Sequence, residues 1–272
     1  MAGTAPGGLP GAARSSRAGS GVRHAAEDSG GVLRPQWPVP RAVRAAFTLR
    51  GGGVSAPPFD SLNLAAHVGD DAAAVAENRR RVRERLALPA EPDWIEQVHG
   101  TRVADLDQPR DVHSPADAVL TRTRGRVCAV QVADCMPVLI AARDASAVAA
   151  AHAGWRGLAA GVLEETVASL GIASEKLIAW LGPAISAPHF EVGGEVRTAF
   201  LAHDAGAEAA FVTNARGRWQ CDLATLARRR LLALGVGGIC GGGWCTFADP
   251  ARFFSFRRDG RCGRMAALIW LE

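Results

Sequence analysis

The sequence predicts an α+β fold, a single compact sandwich of mixed β-sheet with helices packed on it. Three observations carry that expectation. Apolar runs at residues 127–139 and 147–151 are continuous rather than alternating, the mark of strands buried on both faces. Helical periodicity, with apolar residues three and four apart, appears at 71–88 and 157–170. Strands and helices alternate without the regular strand–helix–strand period of a parallel α/β fold, and no internal repeat is present. At 272 residues and 48% apolar composition, the chain can build one large core.

Residues 1–35 are rich in Gly, Ala, Ser and Arg and lack apolar periodicity. They are expected as a disordered tail, because they cannot bury enough surface to offset their ordering entropy. They also lack the apolar core and twin arginine of export signals. The catalytic domain is expected over 36–272. Its first strand is Val43-Arg44-Ala45-Ala46-Phe47-Thr48, and the loop Arg50-Gly51-Gly52-Gly53-Val54-Ser55 follows, with glycines that permit positive φ or close approach. Residues 71–88 form a helix with Val75, Val82 and Leu86 inward and arginines outward. Trp94-Ile95-Glu96-Gln97-Val98 reads as a strand delivering His99. The run 127–139 is a buried strand carrying Cys128 and Cys135, and Asp134 and Pro137 mark a turn that re-aims the second thiol. The strand at 147–151 leads into His152. A helix over 157–170 turns Leu158, Val162, Thr166 and Leu170 inward and closes at Gly171. A strand at 177–181, helices at 192–203 and 222–234, and strands at 253–257 and 264–271 complete the chain.

Composition narrows the function classes. Six cysteines scattered through a chain without a secretory signal fit a reducing, cytoplasmic setting better than a disulfide framework. No apolar run reaches the roughly 18 residues of a membrane span. The net charge of +4 comes from arginine, since Lys176 is the only lysine. The basic residues are dispersed and lack interleaved aromatics, which argues against nucleic acid as a partner.

Three short segments each place one metal-type residue at or just beyond an apolar run: Gln97-Val98-His99-Gly100, Ala133-Asp134-Cys135-Met136-Pro137 and His152-Ala153-Gly154-Trp155-Arg156-Gly157. His99, Cys135 and His152 can meet only through the tertiary fold. A thiolate with two imidazoles suits zinc and disfavours magnesium or calcium. Three protein ligands with a fourth position open is the pattern of catalytic zinc, which brings bound water to a pKa of about 7. The same trio also serves a metal-free chemistry, with Cys135 as nucleophile and a histidine as base. Asp134 is the candidate acid or ligand-orienting group. Arg50 and Arg156 are candidate anion clamps, with Arg156 favoured by its place beside His152. Asn63, in Ser61-Leu62-Asn63-Leu64, is a candidate polar contact to a ligand. His67, His113, His189 and His203 are expected to be structural or exposed, and Cys240, Cys245 and Cys262 to be packing residues.

These segments resemble the YfiH family, also called the laccase-domain or multicopper polyphenol oxidase family. The resemblance runs over about residues 43–272. It further includes His67-Val68-Gly69-Asp70-Asp71, Asn78-Arg79, Ala116-Asp117-Ala118, Leu181-Gly182-Pro183-Ala184-Ile185, Phe190-Glu191-Val192-Gly193, Cys245-Thr246 and Phe254-Ser255-Phe256-Arg257-Arg258. It implies that His99, Cys135 and His152 bind zinc. The implied activity is phosphorolysis of adenosine, inosine, guanosine and S-methyl-5′-thioadenosine, plus adenosine deamination, with purine nucleosides and phosphate as partners. Some members resemble peptidoglycan editing factors, which remove misincorporated L-Ser from a UDP-MurNAc precursor; Cys135 would there be nucleophile or ligand. A metal-stabilised interaction protein is a third reading, which requires a fourth protein ligand and unfolding on metal removal. Copper oxidase chemistry is the weakest, because a multicopper cluster needs many imidazoles. Of seven histidines here, only His99 and His152 sit in such motifs.

Overall fold

The apolar runs become the strands of two stacked sheets in the computed structural model, which describes residues 1–3, 25–27, 31–109 and 114–272. In chain order the first elements are β1 (Ala25–Glu27), β2 (Val32–Pro35), β3 (Val43–Thr48), helix α1 (Ala72–Leu86), β4 (Asp93–Trp94) and β5 (Val103–Asp105). Next come β6 (Ala118–Thr121), β7 (Val127–Val132), β8 (Met136–Ala142), β9 (Val148–Ala153), α2 (Trp155–Ala160), α3 (Val162–Leu170) and β10 (Leu177–Leu181). The chain ends with β11 (Glu191–Val192), α4 (Gly194–Leu201), β12 (Phe211–Thr213), β13 (Trp219–Cys221), α5 (Leu223–Ala233), β14 (Ile239–Gly241), α6 (Phe256–Asp259) and β15 (Met265–Leu271). One six-stranded sheet has the order β1-β2-β3-β15-β7-β4, the other β14-β10-β8-β9-β6-β5, and a small sheet has the order β11-β13-β12.

Side-chain alternation along each strand explains the stacking. On β15, Met265, Ala267, Ile269 and Leu271 enter the core between the sheets, while Ala266, Leu268 and Trp270 pack with Val82 and Leu86 of α1. On β8, Leu139 and Ala141 face the same inter-sheet core, and Val138 and Ile140 pack with residues of α2, α3 and α5. The layers are therefore helix, sheet, sheet, helices, as the α+β sandwich requires. The central strands β7, β8, β9, β10 and β15 are covered on both faces, which is why they read as nearly unbroken apolar runs.

Four expectations change in detail. The run 127–139 is two strands in two different sheets, joined by a crossover at 133–135 where Asp134 takes a left-handed φ of 87°. The strand expected at 94–98 pairs only through Asp93 and Trp94. Beyond them the side-chain amide of Gln97 replaces the backbone ladder, donating to Gln131 O at 2.9 Å and accepting from Gln131 N at 2.7 Å. The helix at 157–170 breaks at Gly161, whose φ of 104° ends α2 and starts α3. Residues 253–257 form no strand; Ser255 instead caps α6 by accepting from Arg258 N.

The disordered tail expected over 1–35 falls largely on residues outside those described, as does His113. Where the chain is described, the boundary moves: Val32–Pro35 is a strand paired to β3, and Val32 and Leu33 are buried. Two buried apolar side chains and ladder bonds offset the ordering entropy there. Among the described residues, no helix is long and apolar enough to cross a membrane.

Candidate metal centre

The centre is built outward from a buried carboxylate. Asp117 lies just before β6, fully buried, and its backbone O accepts from His152 N at 2.7 Å, tying β9 to it. Its Oδ1 accepts from His99 N at 2.9 Å and from the His152 ring Nδ1 at 2.8 Å. Its Oδ2 accepts from Gly100 N at 2.6 Å and from Val98 N at 3.2 Å. One side chain thus fixes both the loop that carries His99 and the ring of His152. His99 sits at a left-handed φ of 62°, uncommon for a residue other than glycine, and the bond from its N–H to Asp117 holds it there. Burial alone would raise the pKa of Asp117, but the His152 ring and the N–H groups of Gly100 and His99 hold it below the ordinary carboxylate value.

With Nδ1 of His152 engaged by the carboxylate, Nε2 is the atom left to ligate. The crossover between β7 and β8 brings in Cys135, whose Sγ lies 3.7 Å from His99 Nε2. The two imidazoles meet edge to face, with centroids 4.7 Å apart. The ligating atoms of His99, Cys135 and His152 all lie within 4.8 Å of one another. Tetrahedral bond lengths to nitrogen and sulfur set such donors about 3.6 Å apart, so the Sγ–Nε2 separation fits a shared metal ion. Desolvation would raise the Cys135 thiol, but His152 and His99 outweigh it and bring its pKa down to about 6. Desolvation would lower the His152 pKa, yet the Cys135 and Asp117 charges carry it up to about 9. The thiolate, which is the ligating form, is thereby favoured near neutrality.

Exposure increases from buried His152 through half-buried Cys135 to exposed His99, so the open side faces solvent. Among the described residues no fourth His, Cys, Asp or Glu joins the cluster. A cavity of about 230 Å³ lies over the donors, with His67, Gln97, Gln131, Phe256 and Arg264 in its walls. A smaller apolar cleft of about 120 Å³ adjoins it across Cys135. A larger groove of about 510 Å³, lined by residues between Arg34 and Ala45, contains none of the three donors.

The three expected donors converge; of the four supporting residues only Asp134 reaches a cavity wall, that of the smaller cleft. Asp134 accepts from Thr246 Oγ1 at 2.6 Å, Ser255 Oγ at 3.0 Å and Arg257 N at 2.7 Å, so it pins the crossover, and Asp117 takes the ligand-orienting position. Arg50 clamps the 60s loop through Asp60 O at 2.9 and 3.0 Å and reaches Pro250 O at 3.1 Å, outside both cavities. Arg156 is exposed and lays its guanidinium 4.5 Å over the Trp155 ring, also outside both. Asn63 is fully buried, donating to Ala65 O and Asp70 Oδ2 and accepting from Ala65 N and Arg264 N. Its amide is an interior brace. Asn63→Ala is expected to cost about 2–4 kcal/mol, because it leaves several buried groups unpaired. Urea denaturation measures that loss, and an unchanged midpoint would contradict the brace.

Sequence reasoning missed Asp117 and Arg264. A carboxylate between two alanines at the head of an apolar strand is costly unless fully bonded, and that was the available signal for Asp117. Arg264 had none in so arginine-rich a chain. Gly154 adds a steric requirement: a Cβ there would lie 2.9 Å from His99 Cδ2 and 3.0 Å from Cys135 Sγ. Its φ of −62° suits any residue, so Gly154→Ala tests crowding alone. The variant is expected to fold and to lose metal affinity at least tenfold by chelator competition; native affinity would show that the donors need no such space.

Fold and site together define a two-sheet sandwich protein with an open His–Cys–His cluster able to hold a metal. The sequence model described as multi-copper polyphenol oxidoreductase laccase matches residues 44–272, and the chain belongs to that family. The chain is 55% identical over 241 residues to a purine nucleoside phosphorylase of Pseudomonas aeruginosa, covering 88% of this chain and 98% of the relative. It is 53% identical over 240 residues to the purine nucleoside phosphorylase YfiH of Escherichia coli, with the same coverage. The crystal structure of a Neisseria meningitidis protein matches with a TM-score of 0.84 and 45% identity, over 89% of this chain and 99% of that one. YlmD from Geobacillus stearothermophilus matches with a TM-score of 0.82 and 32% identity, over 92% and 99%.

Proposed function

We propose that this chain is a zinc-dependent purine nucleoside phosphorylase acting on adenosine, inosine, guanosine and S-methyl-5′-thioadenosine, with adenosine deamination as a second activity. The observation that carries the reading is a His99–Cys135–His152 cluster opening on a cavity walled by Arg264, in a chain 55% identical to a relative named purine nucleoside phosphorylase. Two imidazoles and a thiolate favour zinc over hard cations. One three-donor cluster among the described residues is a poor match to the several imidazole-rich ions of a multicopper oxidase.

When bound, the metal supplies Lewis acidity toward a substrate atom. The chain's own residues do the rest. Arg264 holds the phosphate, the part expected of Arg50 and Arg156. A phosphate oxygen bonds to C1′ as the C1′–N9 bond breaks, and the purine leaves with the bonding pair and takes up a proton. His67 faces the same cavity; burial, then Arg264 and Arg79, lower its pKa, so it is neutral at pH 7 and can bond a ribose hydroxyl. The six free cysteines suit a reducing cytoplasm.

A second reading has its own observation. Cys135, His152 and Asp117 form a thiol–imidazole–carboxylate chain, the arrangement of a cysteine hydrolase. The substrate of that reading, misincorporated L-Ser on a UDP-MurNAc precursor, is the one that the family resemblance implies. The two readings separate in one assay. The zinc-loaded protein is incubated with adenosine or inosine, with and without phosphate, while free base, inosine and ribose 1-phosphate are followed. Phosphate-dependent ribose 1-phosphate is expected. No nucleoside turnover, with serine released from a muramyl-serine substrate, overturns the phosphorylase.

A further inference from the structure

We propose that Asp70 is a positioning residue for the phosphate end of the site: through the buried amide of Asn63 it fixes the backbone that carries Arg264. The proposal rests on the phosphorylase reading above and deepens it. Three polar walls of the larger cavity, Arg264, Gln131 and His67, are tied to one short segment, residues 63–65. Arg264 N donates to Asn63 Oδ1 at 2.9 Å, and Arg264 O accepts from Leu64 N at 3.2 Å. Gln131 Nε2 donates to Leu64 O at 2.7 Å. His67 lies in a short 3-10 turn (Ala66–Val68), and the Asn63 amide sets its entry by bonding both the N and the O of Ala65. A Cβ on Gly263 would lie 2.9 Å from Asn63 Cβ and 2.6 Å from Phe254 Cζ, so the close approach of the two segments requires glycine there.

Asp70 decides which way the Asn63 amide points. Its Oδ2 accepts from Asn63 Nδ2 at 2.9 Å and from Ser55 Oγ at 2.6 Å. That hydroxyl in turn accepts from Asn78 Nδ2 of α1 at 2.8 Å. A carboxylate oxygen accepts and does not donate, so it draws the NH₂ to its own side and turns Asn63 Oδ1 toward the N–H groups of Ala65 and Arg264. The opposite orientation would set the NH₂ against two N–H donors in a fully buried place. Arg264 Nη1 donates to Cys262 O at 2.8 Å and Gly263 O at 3.1 Å, so its side chain folds back on the backbone that Asn63 holds. A shift of that backbone therefore moves the guanidinium, and an anion gripped bidentately tolerates little misplacement. Asp70, Ser55, Asn63 and Asn78 line neither cavity and act by position.

The test is a kinetic split joined to a double-mutant cycle. In zinc-loaded Asp70→Ala the KM for phosphate is expected to rise on the order of tenfold, while the KM for inosine and the zinc affinity stay within about twofold. Asp70→Asn keeps an oxygen for Asn63 Nδ2 and should return the phosphate KM to within about threefold of the wild type. Because Asp70 acts through Arg264, the double variant should have a phosphate KM no higher than Arg264→Gln alone. Effects that multiply in the cycle, an unchanged phosphate KM in Asp70→Ala, or equal rises in both KM values overturn the proposal and leave phosphorolysis standing. If Asp70→Ala does not fold, Ser55→Ala, which removes the hydroxyl bond alone, enters the same cycle with an expected rise of about threefold. A wild type that turns over no nucleoside overturns the functional reading instead, and calorimetric titration with inorganic phosphate then decides on the positioning. Phosphate affinity that falls in both Asp70→Ala and Arg264→Gln upholds it. Equal affinity in the wild type and Asp70→Ala, or no phosphate binding, overturns it.

Discussion

Cys135→Ala is expected to abolish turnover, with a fall in kcat/KM of at least about a thousandfold, and to weaken zinc binding by two or more orders of magnitude. Its sulfur is one of only three protein donors, and the site offers no fourth His, Cys, Asp or Glu among the described residues to replace it. The side chain is small and half-exposed at a crossover, so the fold should survive and Tm should fall by no more than a few degrees. Steady-state kinetics, chelator competition and thermal melts read the three effects separately. Retained zinc affinity would remove Cys135 from the ligand set. Loss of the fold together with the metal would favour a metal-stabilised interaction protein over an enzyme.

The second large effect is expected at Asp117, which is fully buried and acts by positioning His152 and the His99 loop. Asp117→Asn keeps the size of the side chain but turns one of its acceptor oxygens into an amide donor. The wild-type carboxylate accepts from three backbone N–H groups and from the His152 ring. Whichever way the amide is turned, its NH₂ must face N–H donors in a fully buried site. The expected cost is about 2–5 kcal/mol in stability, since a charge-assisted network loses an acceptor and leaves donors unpaired. Zinc affinity should fall a further 10- to 100-fold, the usual effect of losing a carboxylate behind a ligating histidine. Urea denaturation of the metal-free protein and chelator competition on the loaded protein measure the two parts. A stability loss with unchanged zinc affinity would make Asp117 a fold residue only.

The legibility of this chain followed how local each cause was. Helix α1 was readable because Val75, Val82 and Leu86 repeat at helical spacing, and Asp71 caps it by accepting from Ala73 and Ala74 N–H. β10 and β15 were readable because they are covered on both faces, leaving continuous apolar runs. The donor trio was readable because imidazole and thiolate ligands are chemically rare and sat beside turn residues. The split of 127–139 into two sheets was not readable. Its cause is Asp134, whose partners Thr246, Ser255 and Arg257 lie more than a hundred residues away. Gln97 illustrates the same limit, because its amide completes a ladder with Gln131, 34 positions on.

By itself, the sequence determined the fold class and singled out the three donor-type residues that the fold brings together. These follow from burial patterns and ligand types written in short stretches of chain. Only the tertiary structure decided which charged and polar groups serve the site. It assigned Asp117 to hold His99 and His152, set Arg264 in the cavity wall, and committed Arg50, Asn63 and Asp134 to bracing. The physical reason is that a buried polar side chain takes its role from the donors and acceptors packed around it, and those come from distant parts of the chain.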